Sequence, residues 1–374
     1  MKSAMGYTDG KKVVVGMSGG VDSSVAAWLL KEQGYQVTGV TMRLWQEKKG
    51  DAAESAAGSD DADCNLTAAE DAARVAEAIG IPHYVMDFEE EFKCHVVDYF
   101  VEEYLQGRTP NPCIACNRYV KWEALLKRSR AMGADYIATG HYARVDRLPN
   151  GRFAIRCSVT GQKDQTYALY RLTQEQLAHT LMPVGEYEKC RIRAIAQEAK
   201  LPVAHKPDSQ EICFIPDQDY ASFIDRQAGD RVPGTGNFVD SSGNVLGRHK
   251  GITHYTIGQR RGLELAMGER IYVTDIRQNT DEVVLGRNED IFVEEVFCDN
   301  ICFMAIEDLK EPLRVFAKIR YNHKGEYCRI EKAVGGKMRV IFEKPVRAAT
   351  PGQSVCFYDG EYVLGGGIIT SFGR

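Results

Sequence analysis

A glycine- and serine-rich run follows the first apolar segment of the chain. Residues 12–16 (KVVVG) are typical of a buried strand, and SGGVDSS (residues 18–24) comes directly after it. Glycines let a backbone turn tightly, and the N–H groups at the start of a helix attract anions. Because the GxxxxGK[ST] pattern is absent, the run is not the standard nucleoside-triphosphate loop. It therefore predicts a phosphate-binding turn of another type.

Three of the 11 cysteines lie in unusual surroundings. Cys113 and Cys116 form a CxxC pair within TPNPCIACN (109–117), and Cys213 lies in KPDSQEICF (206–214). These polar, proline-rich surroundings predict partly exposed loops in which a thiolate can react. A CxxC pair serves as a redox pair or as half of a metal site, but the second CxxC pair of an ordinary zinc site is absent. The other eight cysteines are expected to be structural: Cys64, Cys94, Cys157, Cys190, Cys298, Cys302, Cys328 and Cys356.

Alternating strands and helices must position these motifs. The strand–turn–helix–strand order implies a parallel sheet, so the N-terminal part is predicted to be an α/β domain with a doubly wound sheet. An exposed loop is expected over 46–63. Besides 12–16, the predicted strands are 35–42, 82–87 and 136–139, and the predicted helices are 25–33, 67–79, one that ends near 106, and 121–132.

The pattern changes after residue 214. Glycine and proline become frequent between 229 and 251, which indicates a small α+β middle module. From about 283 onward the chain alternates with a period of two, and Asp359-Gly360 is a hairpin signal, so a C-terminal antiparallel β-barrel is expected. The predicted domains are 1–215, 216–285 and 286–374.

Composition bounds the possible partners. The 374 residues carry a net charge of −5, which by itself argues against a general nucleic-acid coat protein. The charge is uneven, however, because residues 314–374 hold eleven Lys and Arg against five Asp and Glu. This basic segment indicates a partner-binding surface. An odd cysteine count, no secretory signal and no long apolar run predict a cytoplasmic protein without a membrane partner.

The SGGVDSS run resembles the pyrophosphatase-type loop of enzymes that adenylate an oxygen with ATP. Further motifs occur in the chain: ADYIATGHYAR (134–144), KDQTY (163–167) and YTIGQRRG (255–262). Together with both cysteine segments, they resemble the bacterial tRNA-specific 2-thiouridylase family, over residues 16–369. The resemblance implies an adenine nucleotide alpha hydrolase-like domain. It also implies ATP-dependent 2-thiolation of the wobble uridine of tRNA.

The resemblance implies a role for each matching residue. Cys116 would be the nucleophile, and Cys213 would carry sulfur as a persulfide. The expected ATP-binding residues are Gly16, Met17, Ser18, Gly19, Gly20, Val21, Asp22, Ser23, Met42 and Gly140. Asn111, Pro112 and Cys113 would lie against the target base. The expected tRNA contacts are His141, Lys163, Asp164, Gln165, Arg320, Tyr321 and Gln353.

The implied chemistry needs partners and a reductant. Adenylation would turn the C2 oxygen of uridine into a good leaving group, with Mg²⁺ neutralising phosphate charge. Cys116 would then attack the persulfide and end in a disulfide with Cys213, which must be reduced in each cycle. The implied partners are the anticodon arm of tRNA and a sulfur donor, either a cysteine desulfurase or a relay protein.

Cys113 departs from the family pattern, which usually has aspartate at this position. A thiol cannot replace a carboxylate in acid–base work. Cys113 is therefore a harmless variant or an extra redox thiol, or else Cys113, Cys116 and Cys213 ligate a [4Fe-4S] cluster with one open iron. The two rival functions are an amide-forming ligase with the same loop and a non-enzymatic RNA-binding or sulfur-scaffold protein. Neither rival accounts for the loop and both cysteine segments together.

Overall fold

The computed structural model describes residues 10–47, 64–208, 212–215 and 217–373. Its contacts divide the chain into two compact units. Unit 1 comprises residues 1–95 and 115–214, and unit 2 comprises residues 96–114 and 215–374. The division into three domains at 215 and 285 stays a prediction.

A five-stranded parallel sheet forms the centre of unit 1. Its order is β3-β2-β1-β4-β7, with β1 paired to β2 on one side and to β4 on the other. The chain adds β2 and β3 on one side of β1, and β4 and β7 on the other side. The carboxyl ends of β1 and β4 therefore border the crevice where such sheets bind ligands. The strands are β1 (Lys12–Gly16), β2 (Gln36–Arg43), β3 (His83–Asp87), β4 (Tyr136–Ala138) and β7 (Thr180–Leu181), and an antiparallel hairpin of β5 (Ala143–Arg147) and β6 (Phe153–Cys157) accompanies them.

Helices cover the sheet because their apolar faces need a partner. Val25, Ala26 and Leu30 of α1 pack with Val13 and Val15 of β1 in one buried cluster. The helices are α1 (Val21–Glu32), α2 (Cys64–Ile79), α3 (Glu89–Phe92), α4 (Tyr99–Leu105), α5 (Pro112–Ala115), α6 (Leu125–Ala131), α7 (Gln174–Ala178) and α8 (Lys189–Glu198). Two π-helical segments continue these helices, Lys93–Asp98 between α3 and α4 and Cys116–Ala124 between α5 and α6.

Unit 2 holds a small mixed sheet and a barrel. Helix α9 (Tyr220–Ala228) precedes a four-stranded sheet of order β10-β11-β8-β9. In the barrel, every pairing is antiparallel, and β12 pairs with both β15 and β17, which closes six strands. The strands are β8 (Asn237–Val239), β9 (Val245–Arg248), β10 (Tyr272–Arg277), β11 (Glu282–Gly286), β12 (Phe292–Phe303), β13 (Leu313–Lys318), β14 (Glu326–Lys332), β15 (Met338–Arg347), β16 (Ser354–Asp359) and β17 (Tyr362–Gly373).

The predicted fold class is confirmed: a parallel α/β sheet, a small α+β module and a closed antiparallel barrel. Three helix starts were predicted too late, and α2 begins at Cys64 rather than at 67. Helix α1 begins at Val21 rather than at 25, and helical structure runs from Pro112 rather than from 121. Most of the predicted loop, residues 48–63, lies outside the described residues. In the described part of the chain, no helix is long and apolar enough to cross a membrane.

Candidate active site

The phosphate-type turn is the start of helix α1. Because α1 begins at Val21, Asp22, Ser23 and Ser24 lie in its first turn rather than in a loop. Hydroxyls fix this turn: Ser24 Oγ donates to the Gly20 carbonyl at 2.7 Å, and Ser23 Oγ accepts from the Ser18 N–H at 3.2 Å. The other N–H groups of the first turn point along the helix axis, where an anion is stabilised.

Two glycines are required by close packing around this turn. Gly19 has a φ of +66°, and a Cβ there would lie 2.5 Å from the Ala68 carbonyl oxygen of α2. Gly140 follows β4, and a Cβ there would lie 2.6 Å from the Ser23 nitrogen. Any larger residue at Gly140 would therefore displace the first turn of α1. The turn and the end of β4 thus meet at the crevice of the sheet.

The other expected ATP-binding residues lie along the strand ends. Gly16 ends β1, and Met17 beside it is buried, with its N–H on the Val40 carbonyl at 2.8 Å. Met42 lies one residue before the end of β2, opposite Met86 of β3. These positions put them at the carboxyl edge of the sheet, where their nucleotide-binding roles stay a prediction.

A cleft of about 190 Å³ opens beside the turn. It is lined by residues of unit 1 only: Ser18, Gly20, Val21, Asp22, Ser23, Tyr142, Lys163, Gln165, Lys189, Lys206, Pro207 and Asp208. The structure therefore gathers five of the predicted ATP-binding residues and two of the predicted tRNA contacts around one cavity.

Lys189 joins the two carboxylates of the cleft. Its ammonium donates to Asp22 Oδ1 at 2.7 Å and lies 2.9 Å from Asp208 Oδ1. Asp22 also accepts from the hydroxyl of Tyr142 at 2.7 Å. Burial, followed by the charge of Asp22, raises the pKa of Tyr142 above its usual range, so this hydroxyl remains a donor. The negative charge of Asp22 is thus compensated by Lys189.

Asp208 is held by three cations. Arg193 Nη2 donates to it at 2.8 Å and Lys163 Nζ at 3.2 Å, in addition to Lys189. Burial alone would raise its pKa, but the hydrogen bonds and charges of Lys189 and Lys163 lower the pKa of Asp208 below its usual range. Asp208 therefore stays ionised and anchors the chain five residues before Cys213.

Lys206 reaches back to the turn. Its ammonium donates to the Gly19 carbonyl at 3.1 Å and to Asp71 of α2 at 2.5 Å. The cleft is thus lined by the ammonium groups of Lys163, Lys189 and Lys206, each positioned by a carboxylate. No local sequence pattern marks Lys189, Arg193 and Asp71, because only the fold brings them to the turn.

The expected tRNA contacts in unit 1 have structural partners. Gln165 Oε1 accepts from the Tyr142 N–H at 2.9 Å, and Asp164 Oδ2 accepts from the Ser158 N–H at 2.9 Å. His141 Nδ1 lies 2.7 Å from Thr139 Oγ1. Burial, and then the charge of Lys121, lowers the pKa of His141 well below its usual value. These side chains shape the crevice; whether they also contact RNA stays a prediction.

The CxxC segment is helical, which corrects the expectation of a loop. Asn111 Oδ1 accepts the N–H groups of Cys113 at 3.1 Å and Ile114 at 3.4 Å, so Asn111 acts as an N-cap and Pro112 begins the helix. Cys113 is exposed, as expected, but Cys116 is only 8% exposed. The proline-rich segment before Cys113 therefore marks the start of a helix and not a loop.

In unit 2 the expected contacts also touch backbone. Gln353 donates to the carbonyls of Thr109 at 3.0 Å and Pro110 at 3.3 Å, which supports the segment that leads into Asn111. Arg320 donates to the carbonyl of Arg347 at 2.8 Å. Tyr321 is 42% exposed.

In the part of the chain that the structure describes, no disulfide is formed. Cys213 is exposed. Of the eight expected to be structural, Cys298, Cys328 and Cys356 are buried, Cys157 and Cys302 are half-buried, and the side chain of Cys64 lies outside the described residues. Cys94 and Cys190 are exposed, so a core role is wrong for them.

Three family models match consecutive parts of the chain. A tRNA methyl transferase HUP domain matches residues 11–217, a tRNA methyl transferase PRC-barrel domain matches 221–287, and an aminomethyltransferase beta-barrel domain matches 293–369. Residues 11–217, which include the parallel sheet, the glycine-rich turn and the lysine-lined cleft, therefore form a HUP domain, a class that uses ATP.

The relatives define the family within this class. The tRNA-specific 2-thiouridylase MnmA of Lachnoclostridium phytofermentans is 58% identical over 359 residues, which are 96% of this chain and 99% of that protein. That of Clostridioides difficile is 53% identical over 96% of this chain and 98% of that protein. The chain belongs to the tRNA-specific 2-thiouridylase family.

Among solved structures, the U34-tRNA thiolase NcsA from Methanococcus maripaludis matches 60% of this chain and 69% of its own chain. The TM-score is 0.33 and the identity 16%, a likeness too distant to bear on function.

Proposed function

We propose that the protein thiolates the wobble uridine of tRNA at C2 and consumes ATP in doing so. The observation that carries this proposal is the lysine-lined cleft at the first turn of α1, in a chain that also carries an exposed Cys213 and a buried Cys116. ATP would adenylate the C2 oxygen with loss of pyrophosphate. Sulfur would then replace AMP.

The cleft suits a pyrophosphate leaving group. The first-turn N–H groups of α1 and the ammonium groups of Lys189 and Lys206 converge on it. Such preorganised donors stabilise the charge that develops on the departing phosphates. Mg²⁺, when bound, would neutralise phosphate charge, and Asp22 and Asp208 are the carboxylates of the cleft that suit its preference for oxygen.

The sulfur step is proposed to use both cysteines. An exposed Cys213 is open to a sulfur donor, which would leave it as a persulfide. The terminal sulfur attacks C2 and AMP leaves with the C2 oxygen. The Cys116 thiolate then attacks Cys213 Sγ, so that the sulfur stays on the uridine and a Cys116–Cys213 disulfide remains. A thiol reductant must regenerate both thiols, which suits the predicted cytoplasmic location.

The alternative is an iron–sulfur cluster on Cys113, Cys116 and Cys213. In the described ranges, no three His, Cys, Asp or Glu side chains are grouped in a way that would hold a metal ion. This arrangement does not fit a ready cluster site, and we therefore favour the persulfide route. Cys113 then acts as neither acid nor base.

The partners follow from the same chemistry. The substrate would be the anticodon arm of tRNA, held by the basic segment 314–374 and the middle module. The sulfur donor would be a cysteine desulfurase or a relay protein.

The test is the Cys213→Ser variant, with Cys190→Ser as its control because Cys190 is also an exposed cysteine. Both variants are incubated with ATP, Mg²⁺, tRNA, a cysteine desulfurase and cysteine, and tRNA nucleosides are analysed by mass spectrometry. The Cys213→Ser protein should bind tRNA and form no 2-thiouridine, whereas Cys190→Ser should behave as the wild type. Normal product from Cys213→Ser rejects the persulfide assignment. Iron and acid-labile sulfide in active, anaerobically purified protein would favour the cluster instead.

A further inference from the structure

The ring of Tyr119 is the centre of a cationic cluster in unit 1. The His95 ring stacks on it with centroids 4.7 Å apart and an interplanar angle of 20°. The guanidinium carbons of Arg171 and Arg118 lie 5.7 Å and 5.9 Å from its centroid. Lys121 lies two residues further along the same π-helical segment. These five residues are named the Tyr119 cluster below.

Within the described residues, the cations of this cluster donate to neutral acceptors. Arg118 Nη1 donates to the Arg171 carbonyl at 3.2 Å and to Gln176 Oε1 at 3.1 Å. Lys121 donates to Asn117 Oδ1 at 3.0 Å, and Arg171 Nη2 lies 3.4 Å from the Tyr119 hydroxyl. Among the described residues, no carboxylate lies within ion-pair distance of any of the three. Their charges therefore have no carboxylate partner in the part of the chain that the structure describes.

Two other arginines of the same helical stretch have carboxylate partners. Arg128 pairs with Glu91, and Arg130 pairs with Glu175 at 2.7 Å. Arg118 and Arg171 lie against the same ring and have no carboxylate partner among the described residues, which costs electrostatic free energy because like charges repel. An anionic partner removes that cost. The contrast within one helical stretch therefore points to a ligand for the Tyr119 cluster.

We propose that the Tyr119 cluster is a binding subsite for RNA, one that takes the phosphate and the base of an unpaired nucleotide next to the target uridine. The proposal rests on the proposed function, because that function supplies the RNA. Phosphates contact arginine and lysine, and unpaired bases stack on aromatic rings and guanidinium planes. Both kinds of surface occur together here.

The location fits a nucleotide near the reacting base. The π-helical segment that carries Arg118, Tyr119 and Lys121 begins with Cys116. Arg118, the first residue of the cluster on this segment, lies two residues after the proposed nucleophile. An acidic surface of a sulfur-donor protein is the competing occupant, but such a partner gives no reason for the stacked rings.

The test is the affinity for a fluorescent anticodon stem-loop, measured by anisotropy at several KCl concentrations. Arg171→Gln and Tyr119→Leu are compared with Arg130→Gln, a matched control in the same helical stretch whose partner is Glu175. We expect about a tenfold loss of affinity for Arg171→Gln, and its salt slope should fall by about 0.7–0.9. Tyr119→Leu should lose affinity with its salt slope unchanged, and Arg130→Gln should bind as the wild type does.

Two further measurements keep the outcomes distinct. Arg171→Lys should restore the salt slope without the full affinity, because lysine keeps the charge and loses the planar fork. Thermal unfolding shows whether a variant binds poorly because it is unfolded. If Arg171→Gln is unfolded, the salt slope and affinity of Arg171→Lys test the subsite instead. If all variants bind like Arg130→Gln, the subsite is wrong while the proposed function stands. If the wild type neither binds nor thiolates the RNA, both fail. The variants could also keep their RNA affinity and lose thiolation only when a desulfurase supplies the sulfur. That result would assign the cluster to a protein partner and overturn the RNA subsite.

Discussion

Replacing Gly19 with alanine should damage the phosphate-type turn in a way that can be calculated from the structure. Gly19 has a φ of +66°, and the added Cβ would lie 2.5 Å from the Ala68 oxygen and 3.0 Å from the Ala68 Cα. The left-handed conformation costs a residue other than glycine about 1–2 kcal/mol, and overpacking costs about 1–3 kcal/mol. The expected loss in free energy of unfolding is therefore about 2–5 kcal/mol, unless the turn moves away from α2.

Gly20→Ala is the matched control. Gly20 has a φ of −98°, and its nearest contact would be Ser18 Oγ at 3.5 Å, an ordinary van der Waals distance. Its stability should change by less than about 0.5 kcal/mol. Urea unfolding measures stability, and tRNA-dependent release of pyrophosphate measures the site. A displacement of the turn by about 1 Å should lower pyrophosphate release by about 100-fold in Gly19→Ala. Equal stability and equal activity of the two variants would refute the packing argument.

Two predictions concern charged groups and pH. Asp208→Asn should lose about 2–3 kcal/mol at pH 7, because three charge-assisted hydrogen bonds are weakened. Since the pKa of Asp208 is lowered on folding, the wild type should lose this advantage as the pH falls below about 4, which urea unfolding at several pH values will show. Burial, and then the charges of Arg320 and Lys318, lower the pKa of His323 from 6.5 to about 4. The wild type should therefore lose about 1 kcal/mol as the pH falls through that range, and a His323→Asn variant with an equally steep loss would contradict this.

The elements with regular periodicity could be predicted from the sequence. The apolar run before SGGVDSS forms β1, and the alternation in 313–319 places Val315, Ala317 and Ile319 in the barrel interior, although Leu313 is 37% exposed. Helix starts were less predictable because they depend on capping. Asn111 caps the helix of the CxxC segment, but the prolines on either side of Asn111 suggested a loop.

The site residues that belong to one continuous sequence motif could be predicted. The glycines and serines of the turn are such residues. Lys189, Arg193 and Asp71 are not, because they reach the cleft from α8 and α2 and no local pattern marks them. For the same reason the sequence could not show that Gln353 supports the backbone at Thr109.

ATP cleavage is proposed to drive the transfer of sulfur onto C2 of a tRNA uridine. The most direct measurement is mass analysis of wobble nucleosides from tRNA that was incubated with the protein, ATP, Mg²⁺ and a sulfur donor, with AMP and pyrophosphate quantified in the same reaction. We expect 2-thiouridine, with one AMP and one pyrophosphate formed for each sulfur transferred, and no 2-thiouridine when ATP is omitted. Thiouridine formed without ATP, or AMP formed with no sulfur in the tRNA, would contradict it.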